Sequence, residues 1–336
     1  MKLPLRPTKK TSRTRFSRSK AVRPSHKQGY HRIENKICSL SQYMEIISSI
    51  HSKFPLDCIH NPISELFLYR GVCNQSYSLL PSILRRRNDK VQSNEMGSRR
   101  YTSFVSEKSI LTSFKVEASV HVNIPENDLL RWAEYAQHFG VPTRFLDWTS
   151  NPLVALFFAC IGDCKEHDGA VWLFNMSNYS NYYLQKNMID GELPPERTKR
   201  EIILSHLEGN SKDEFPILYL PLYIESRMSA QSSYFMVWGA KQEPLEVLLK
   251  DHSDMRLNIN TNKIDNEEMQ PRTILYKSIV PMKYKQKLLR ELDLAGINEK
   301  TLFPGLDGVG KYIERKFRFE DNDFTEWVGD LDSMKL

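Results

Sequence analysis

Arg70 is the residue of this chain whose type and position most clearly call for a binding partner. The stretch "LFLYRG" at 66–71 begins as a buried strand and then reaches Arg70 and Gly71. A guanidinium stays protonated in proteins and is costly to bury without an anion. Arg70 therefore predicts either an internal carboxylate such as Asp147 or an anionic ligand, because an arginine fork fits phosphate oxygens. Gly71 lets a backbone or a ligand approach closely.

A second polar cluster lies in "AQHFGVPTRFLDWTSNP" at 136–152. It contains His138, Arg144, Asp147, Trp148, Thr149 and Ser150. His138 ends a predicted helix, where the helix dipole favours its charged form. Asp147 is close enough in sequence to hold Arg144 or His138. Two interpretations remain open, a ligand pocket and a structural cluster that pins a strand between two helices.

A third candidate region is "ESRMSAQSSYFMVWG" at 225–239, in which Arg227 and Gln231 precede an apolar strand. The amide of Gln231 has two possible uses, which are to satisfy a buried backbone group or to face a ligand. The sequence contains no P-loop, no GxGxxG, no GxSxG and no HExxH, which argues against the enzyme classes that those motifs define.

The cysteines and the apolar runs narrow the class of protein further. The five cysteines, an odd number without paired spacing, predict reduced thiols and no metal site. The longest apolar stretch, "PLVALFFACIG" at 152–162, is too short to cross a bilayer, so we expect no membrane contact. The basic N-terminus lacks the apolar segment of a signal peptide, which favours a cytoplasmic location.

Charge is distributed unevenly along the chain. The formal net charge is +6, and residues 1–33 contain 11 Lys or Arg and no acid, so the remainder carries −5 (+6 minus +11). We expect residues 1–35 to form a basic disordered arm because they are rich in Ser, Thr and Pro. Such an arm can contact nucleic acid or a protein partner. Residues 36–320 form the predicted domain, and 321–336 an acidic tail.

Hydrophobic periodicity predicts an α+β fold, a single domain with a modest mixed or antiparallel sheet flanked by helices. The predicted helices are 40–54, 127–140, one starting near Pro152, and 282–295. The predicted strands are 66–70, 170–174, 217–224, 233–238 and 273–280. Residues 177–213 and 250–270 are polar and expected to be loop-rich, and 85–100 to be a solvated turn and helix start with surface arginines.

Several blocks in this order resemble the FRG domain, which is named for a (Phe/Tyr)-Arg-Gly motif. They are "YRG" 69–71, "LLPSILR" 79–85, "AQHFGVPTRFLDWTSNPLVALFFA" 136–159, "GAVWLF" 169–174, "RMSAQSSYF" 227–235 and "LFPGLDG" 302–308. The resemblance extends from about residue 60 to 315 and leaves the basic arm outside.

The layout of the FRG domain resembles that of ADP-ribosyltransferases, which implies NAD as the substrate. By that resemblance Arg70 binds the NAD phosphates and Thr149-Ser150 shape the nicotinamide pocket. Gln231 is nearest to the position of the family's glutamate, but it lacks the carboxylate that stabilises an oxocarbenium-like transition state. Glu225 and Glu243 flank the same strand outside the resembling motif.

The resemblance therefore predicts an intracellular, NAD-dependent ADP-ribosyltransferase-like enzyme with a toxin or defence role. Arg70, His138 and Gln231 would be catalytic. The cofactor-binding set would be Arg70, Gly71, Arg144, Asp147, Trp148, Thr149 and Ser150, with His138 and Asp147 ordering the pocket and Trp148 or a nearby aromatic residue stacking on nicotinamide. The alternative is a non-catalytic nucleotide- or partner-binding module whose basic arm contacts nucleic acid. A third account makes all three polar clusters internal ion pairs.

Overall fold

The computed structural model describes residues 31–33, 36–52, 67–87, 101–102, 106–162, 164, 166–186, 198–221, 226–249 and 273–317. The basic arm except 31–33, Glu225, most of 85–100, residues 250–270 and the acidic tail lie outside the described residues. The α+β prediction is confirmed, since helices flank a mixed, mainly antiparallel sheet. No helix in the described part of the chain is long and apolar enough to cross a membrane.

The main sheet has seven strands in the order β1-β9-β6-β2-β5-β8-β7. Their bounds are β1 His31–Arg32, β2 Phe67–Val72, β5 Phe145–Thr149, β6 Gly169–Asn175, β7 Ile217–Tyr219, β8 Ser233–Val237 and β9 Leu275–Val280. A separate pair consists of β3 Arg86–Arg87 and β4 Tyr101–Thr102. All neighbours in the main sheet are antiparallel except β1 and β9, which are parallel.

Eleven α-helices accompany the sheet in the described residues. They are α1 Leu40–His51, α2 Glu107–Ala118, α3 Leu129–His138, α4 Pro152–Cys160, α5 Met176–Lys186, α6 Lys199–Glu208, α7 Ser226–Ala230, α8 Leu245–Leu248, α9 Lys285–Leu294, α10 Glu299–Leu302 and α11 Leu306–Phe317. Two short 3-10 turns lie at Ser82–Leu84 and Met282–Tyr284.

Two groups of helices cover one face of the sheet. Helices α1, α4 and α9 pack on the inner strands β2, β6 and β9, and helices α2, α3 and α6 pack on β5, β7 and β8. The opposite face is covered by residues 79–84, α5 and α8, which pack on Trp148, Trp172 and Trp238. Alternation along each strand separates these faces, so Tyr69 and Leu68 lie in different cores.

Several predicted elements differ from the observed ones. Residues 177–213 hold most of α5 and all of α6, whose start is fixed by a capping box between Thr198 and Glu201. The strand predicted at 217–224 is β7, which ends at Tyr219. Residues 86–87 form a strand, although a turn and helix start were predicted at 85–100. The helix predicted to start near Pro152 is α4, and the side chain of Asn151 caps its N-terminus.

Two cysteines are paired, contrary to the prediction that all five are reduced thiols. Cys73 and Cys164, 91 residues apart in sequence, form a disulfide that links the residue after β2 to the segment between α4 and β6. Cys38 and Cys160 are free thiols. Spacing could not reveal this pair, because the antiparallel pairing of β2 with β6 brings distant residues together.

Candidate functional site

A cleft of about 690 Å³ opens over the junction of β2 and β5. It lies between the two helix groups, since α4 and the end of α3 both contribute lining residues. The ladder between β2 and β5 contains one pair, Tyr69 with Thr149, whereas β2 pairs with β6 along its whole length. The two strands therefore separate beyond Tyr69 and leave a gap beneath the cleft.

Arg70 occupies this gap. Strand β2 does not stop at Arg70 as predicted but continues to Val72, so the arginine lies inside a strand. Its Nη1 donates a hydrogen bond to the backbone carbonyl of Asp147 on β5. The carboxylate of Asp147 is 4.0 Å from the same nitrogen, and the Arg70 side chain is 18% exposed. Burial lowers the pKa of Arg70 to about 10, and the charge of Asp147 opposes the shift.

Gly71 lines the cleft, but its lack of a side chain serves packing. A Cβ at this position would collide with the carbonyl oxygen of Ala155 in α4. Of the two uses of Gly71 that the sequence allowed, close approach of a ligand or of a backbone, the structure provides the second. Strand β2 and helix α4 can therefore lie close enough to fix Arg70 relative to the cleft wall.

A directed chain of hydrogen bonds holds the carboxylate of Asp147. The backbone N–H of Phe145 donates to Thr143 Oγ1 at 3.2 Å, and this hydroxyl donates to Gln137 Oε1 at 2.5 Å. The amide of Gln137 must then present its nitrogen to Asp147, and Nε2 donates to Oδ2 at 2.8 Å. Asp147 is contacted by Arg70 and Gln137, whereas Arg144, one of the two partners that the sequence suggested, is paired with Glu107.

Two further arginines act on Asp147. Arg227 on α7 lines the cleft, and its guanidinium stacks 4.7 Å from the ring of Phe303. Arg85 donates from Nε to the carbonyl of Leu80 at 3.0 Å and lies near Arg70. Burial lowers the pKa of both arginines, and the charge of Asp147 opposes the shift. Arg85 is therefore more than the surface charge that the sequence suggested.

Gln231 lines the cleft, and its amide nitrogen donates to the carbonyl of Leu302 at 3.0 Å. This bond satisfies a backbone group, the first of the two uses considered above, and it fixes the amide so that Oε1 remains as the acceptor. Thr149 Oγ1 donates to the Gln231 carbonyl at 2.6 Å and accepts from the backbone of Asn151. Ser150 donates its backbone N–H to Ser232, which has a left-handed φ of 48°, and does not line the cleft.

The aromatic surface of the cleft differs from the prediction. Trp148 belongs to the cleft lining, but its ring is buried in the core on the opposite face of the sheet, 5.3 Å from the ring of Phe174, and so is not available to stack on a ligand. Phe139, at the end of α3, lines the cleft and is 59% exposed. His138 also lines the cleft and meets the Phe139 ring edge-to-face at 4.9 Å. His138 is therefore part of the cleft wall.

Arg144 lies outside the cleft lining. Its Nε and Nη2 both contact Glu107 Oε2 at 2.7 Å, and Nη1 donates to the carbonyl of Trp238 at 3.1 Å. Glu107 also accepts from the Arg144 backbone at 3.0 Å. All three guanidinium nitrogens contact protein acceptors, so Arg144 joins α2 to β5 and to the residue after β8.

Gln137, Phe139, Phe158 and Asp307 line the cleft, although sequence reasoning did not select them. Gln137, His138 and Phe139 occupy consecutive positions at the end of α3, and this was the available signal. Asp307 comes from the first turn of α11, far along the chain, and its place in the resembling block "LFPGLDG" at 302–308 was the available signal.

The fold and the cleft define an α+β protein with an arginine-lined pocket between two helix groups. Residues 65–168 match the family model of the FRG domain. The chain therefore contains an FRG domain, as the resemblance predicted. The matched range includes Arg70, His138 and Asp147 but not Arg227, Gln231 or Asp307, and the domain bounds 36 and 320 stay predictions. No curated protein and no solved structure matches the chain.

Proposed function

We propose that the cleft of this FRG domain binds NAD and that the protein is an ADP-ribosyltransferase-like enzyme. The observation that carries the proposal is the state of Arg70. Among the described residues its hydrogen bond goes to a backbone carbonyl, and its nearest carboxylate is at 4.0 Å. A guanidinium with this much unused donor capacity, facing a cleft, suits a phosphate.

The lining supports a division of the cleft between the parts of a dinucleotide. Arg70 and Arg227 would bind the pyrophosphate, and the exposed ring of Phe139 would stack on nicotinamide in place of Trp148. Gln231 Oε1 would accept a hydrogen bond from a ribose hydroxyl, since its amide nitrogen is engaged by Leu302. A cavity of about 690 Å³ lies within the range of small-molecule sites.

The proposed reaction breaks the bond between ribose C1′ and the nicotinamide nitrogen. Nicotinamide leaves with the bonding electron pair as a neutral base, and a nucleophile of the acceptor bonds to C1′ and releases its proton. Water in the same position gives ADP-ribose, nicotinamide and a proton. The acceptor would be a protein or a nucleic acid, and the basic arm favours nucleic acid. Consumption of NAD inside a cell would fit a toxin or defence role.

The test is nicotinamide release by the full chain, together with the shift in melting temperature that NAD causes. Arg70→Ala and Gln231→Ala should abolish release while circular dichroism shows intact folding. Arg200→Ala is the matched control, because Arg200 is exposed and pairs with Asp128 away from the cleft. The transferase proposal fails if NAD neither reacts nor shifts the melting temperature.

A second candidate, a non-catalytic nucleotide-binding module, is favoured by the acids of the cleft. In the described residues the acids of the lining are Asp147 and Asp307, and no glutamate is among them. A melting shift by NAD that requires Arg70, without nicotinamide release, would support the module. If the protein also binds nucleic acid in a salt-sensitive way, and deletion of residues 1–33 abolishes that binding, the basic arm would be the nucleic-acid contact of the module.

A further inference from the structure

The surroundings of Asp147 carry more positive than negative charge. Arg70, Arg85 and Arg227 all interact electrostatically with this one carboxylate. Arg70 and Arg227 also line the cleft, on β2 and α7 respectively. Three guanidiniums around one carboxylate leave an excess of two positive charges. Asp307, the other acid of the lining, reduces this excess to one, and an anion entering the cleft meets the remainder.

The contact between Asp147 and Arg70 is poorly suited to a permanent ion pair. The carboxylate is 4.0 Å from Nη1, and the Asp147 side chain is 55% exposed. The position of Arg70 does not depend on this carboxylate, because Nη1 is bound to the backbone carbonyl of the same residue. The carboxylate in turn has its own support from Gln137 Nε2 at 2.8 Å. The Arg70 and Asp147 side chains can therefore separate from each other and each keep its position.

We propose that Asp147 is an internal counter-ion for the arginines of the cleft, and that a diphosphate group displaces it from Arg70 and Arg227. This inference rests on the proposed function and names the part of the ligand that the site selects. Each guanidinium fork can take the oxygens of one phosphate. Two forks on different elements therefore favour a diphosphate over a single phosphate.

The proposal predicts that one substitution at the cleft strengthens ligand binding and does not weaken it. Asp147→Asn removes the competing negative charge, while the side-chain carbonyl of asparagine can still accept from Gln137 and the backbone carbonyl remains for Arg70. Inorganic pyrophosphate should then bind about fivefold more tightly, an effect of the size that partly exposed ion pairs allow. Arg227→Ala should weaken binding about tenfold, since a charge-assisted hydrogen bond is lost.

The experiment is isothermal titration of the full chain with inorganic pyrophosphate and, separately, with phosphate. The proteins are the wild type, Asp147→Asn, Arg227→Ala and the control Arg200→Ala. The expected result is tighter binding of pyrophosphate than of phosphate, an increase for Asp147→Asn and no change for Arg200→Ala. Absence of pyrophosphate binding, or equal or weaker binding by Asp147→Asn, would overturn the proposal.

Parallel titrations with NAD separate this inference from the proposed function. If NAD binds through Arg70 but Asp147→Asn does not strengthen pyrophosphate binding, the proposed function survives and the counter-ion role is rejected. If pyrophosphate behaves as expected and NAD does not bind, the counter-ion role stands and the ligand is another diphosphate. Both proposals fail if neither compound binds.

Discussion

Arg70 and Arg144 lie on neighbouring strands or at their start, and both belong to motifs that resemble the FRG domain, yet their surroundings differ. Arg144 contacts Glu107 through two nitrogens, and both side chains are 14% exposed. Among the described residues, Arg70 has a single hydrogen bond and a carboxylate at 4.0 Å. Protein acceptors therefore engage all three guanidinium nitrogens of Arg144 but one nitrogen of Arg70, which retains donors for a ligand.

This difference shows how a structural arginine can be distinguished from a binding one. Residue type, motif and depth in the fold are similar at both positions. What differs is how many guanidinium nitrogens contact protein acceptors. Where all three do so in a largely buried ion pair, removal of the arginine leaves its partner carboxylate without a compensating charge. Where most donors face a cleft instead, the cost of burying the guanidinium is not offset until a ligand supplies acceptors.

The strongest test of this comparison is Arg144→Ala. The substitution leaves the Glu107 carboxylate, which is 14% exposed, with a backbone N–H but no charged partner, and it frees the carbonyl of Trp238. We expect the free energy of unfolding to fall by about 3 kcal/mol or more. Urea denaturation of the purified variant measures the loss. A variant as stable as the wild type would show that the pair of Arg144 and Glu107 does not hold α2 to the sheet.

Gly71→Ala should have the next largest effect, and it tests the wall on which Arg70 depends. The added methyl group collides with the α4 backbone at Ala155, which must shift. Overpacking of this kind costs about 2 kcal/mol. Thermal denaturation should show the loss, and ligand affinity should fall as well because β2 moves relative to the cleft. Unchanged melting would mean that α4 adapts without cost.

The sequence predicted the parts of the fold that depend on local pattern. The apolar runs of β2, α4 and β6 and the glycine stop after α3 were found at or within a few residues of their observed bounds. Helices α5 and α6 were missed, because their polar composition hid the helical periodicity. The capping box at Thr198 was the local signal that could have revealed α6.

The sequence predicted many of the residues at the candidate site, but it did not reliably predict which side chains contact each other. Asp147 was named as an internal partner for Arg70, 77 residues away, and the structure brings the two together. Glu107, 37 residues from Arg144, was not identified. Trp148 and Asp147 are adjacent in sequence and both border the cleft, but strand alternation places the Trp148 side chain in the core on the opposite face of the sheet. Partners across strands follow from topology, which spacing alone does not give.

A third pair, Arg131 with Glu134, extends the comparison of Arg144 and Arg70. Its buried carboxylate predicts how stability depends on pH. Glu134 is almost fully buried, accepts from Tyr219 at 2.5 Å and is 3.2 Å from Arg131. Burial raises the pKa of Glu134 above its ordinary value of 4.5, against the effect of its hydrogen bonds. The folded protein therefore holds this proton more tightly than the unfolded chain does.

The stability that this proton contributes is complete below the ordinary pKa and is lost as the pH rises through the folded pKa. Glu134→Gln removes the titration and keeps a neutral partner for Tyr219. We expect the difference in unfolding free energy between wild type and variant to decline as the pH rises from 4.5 toward neutrality. Chemical denaturation at a series of pH values measures this decline. A difference that grows with pH would contradict the assigned direction.

Arg70→Ala should have the smallest effect on stability of these substitutions. It leaves Asp147, which is 55% exposed and still bound to Gln137, so no buried charge loses its only partner. It also removes a guanidinium whose burial is unfavourable. We expect a loss of less than about 1 kcal/mol, because the carboxylate of this ion pair is exposed to solvent. Urea denaturation beside Arg144→Ala gives the comparison directly. If Arg70→Ala were as destabilising as Arg144→Ala, both arginines would be structural and the cleft would lose the observation on which its proposed function depends.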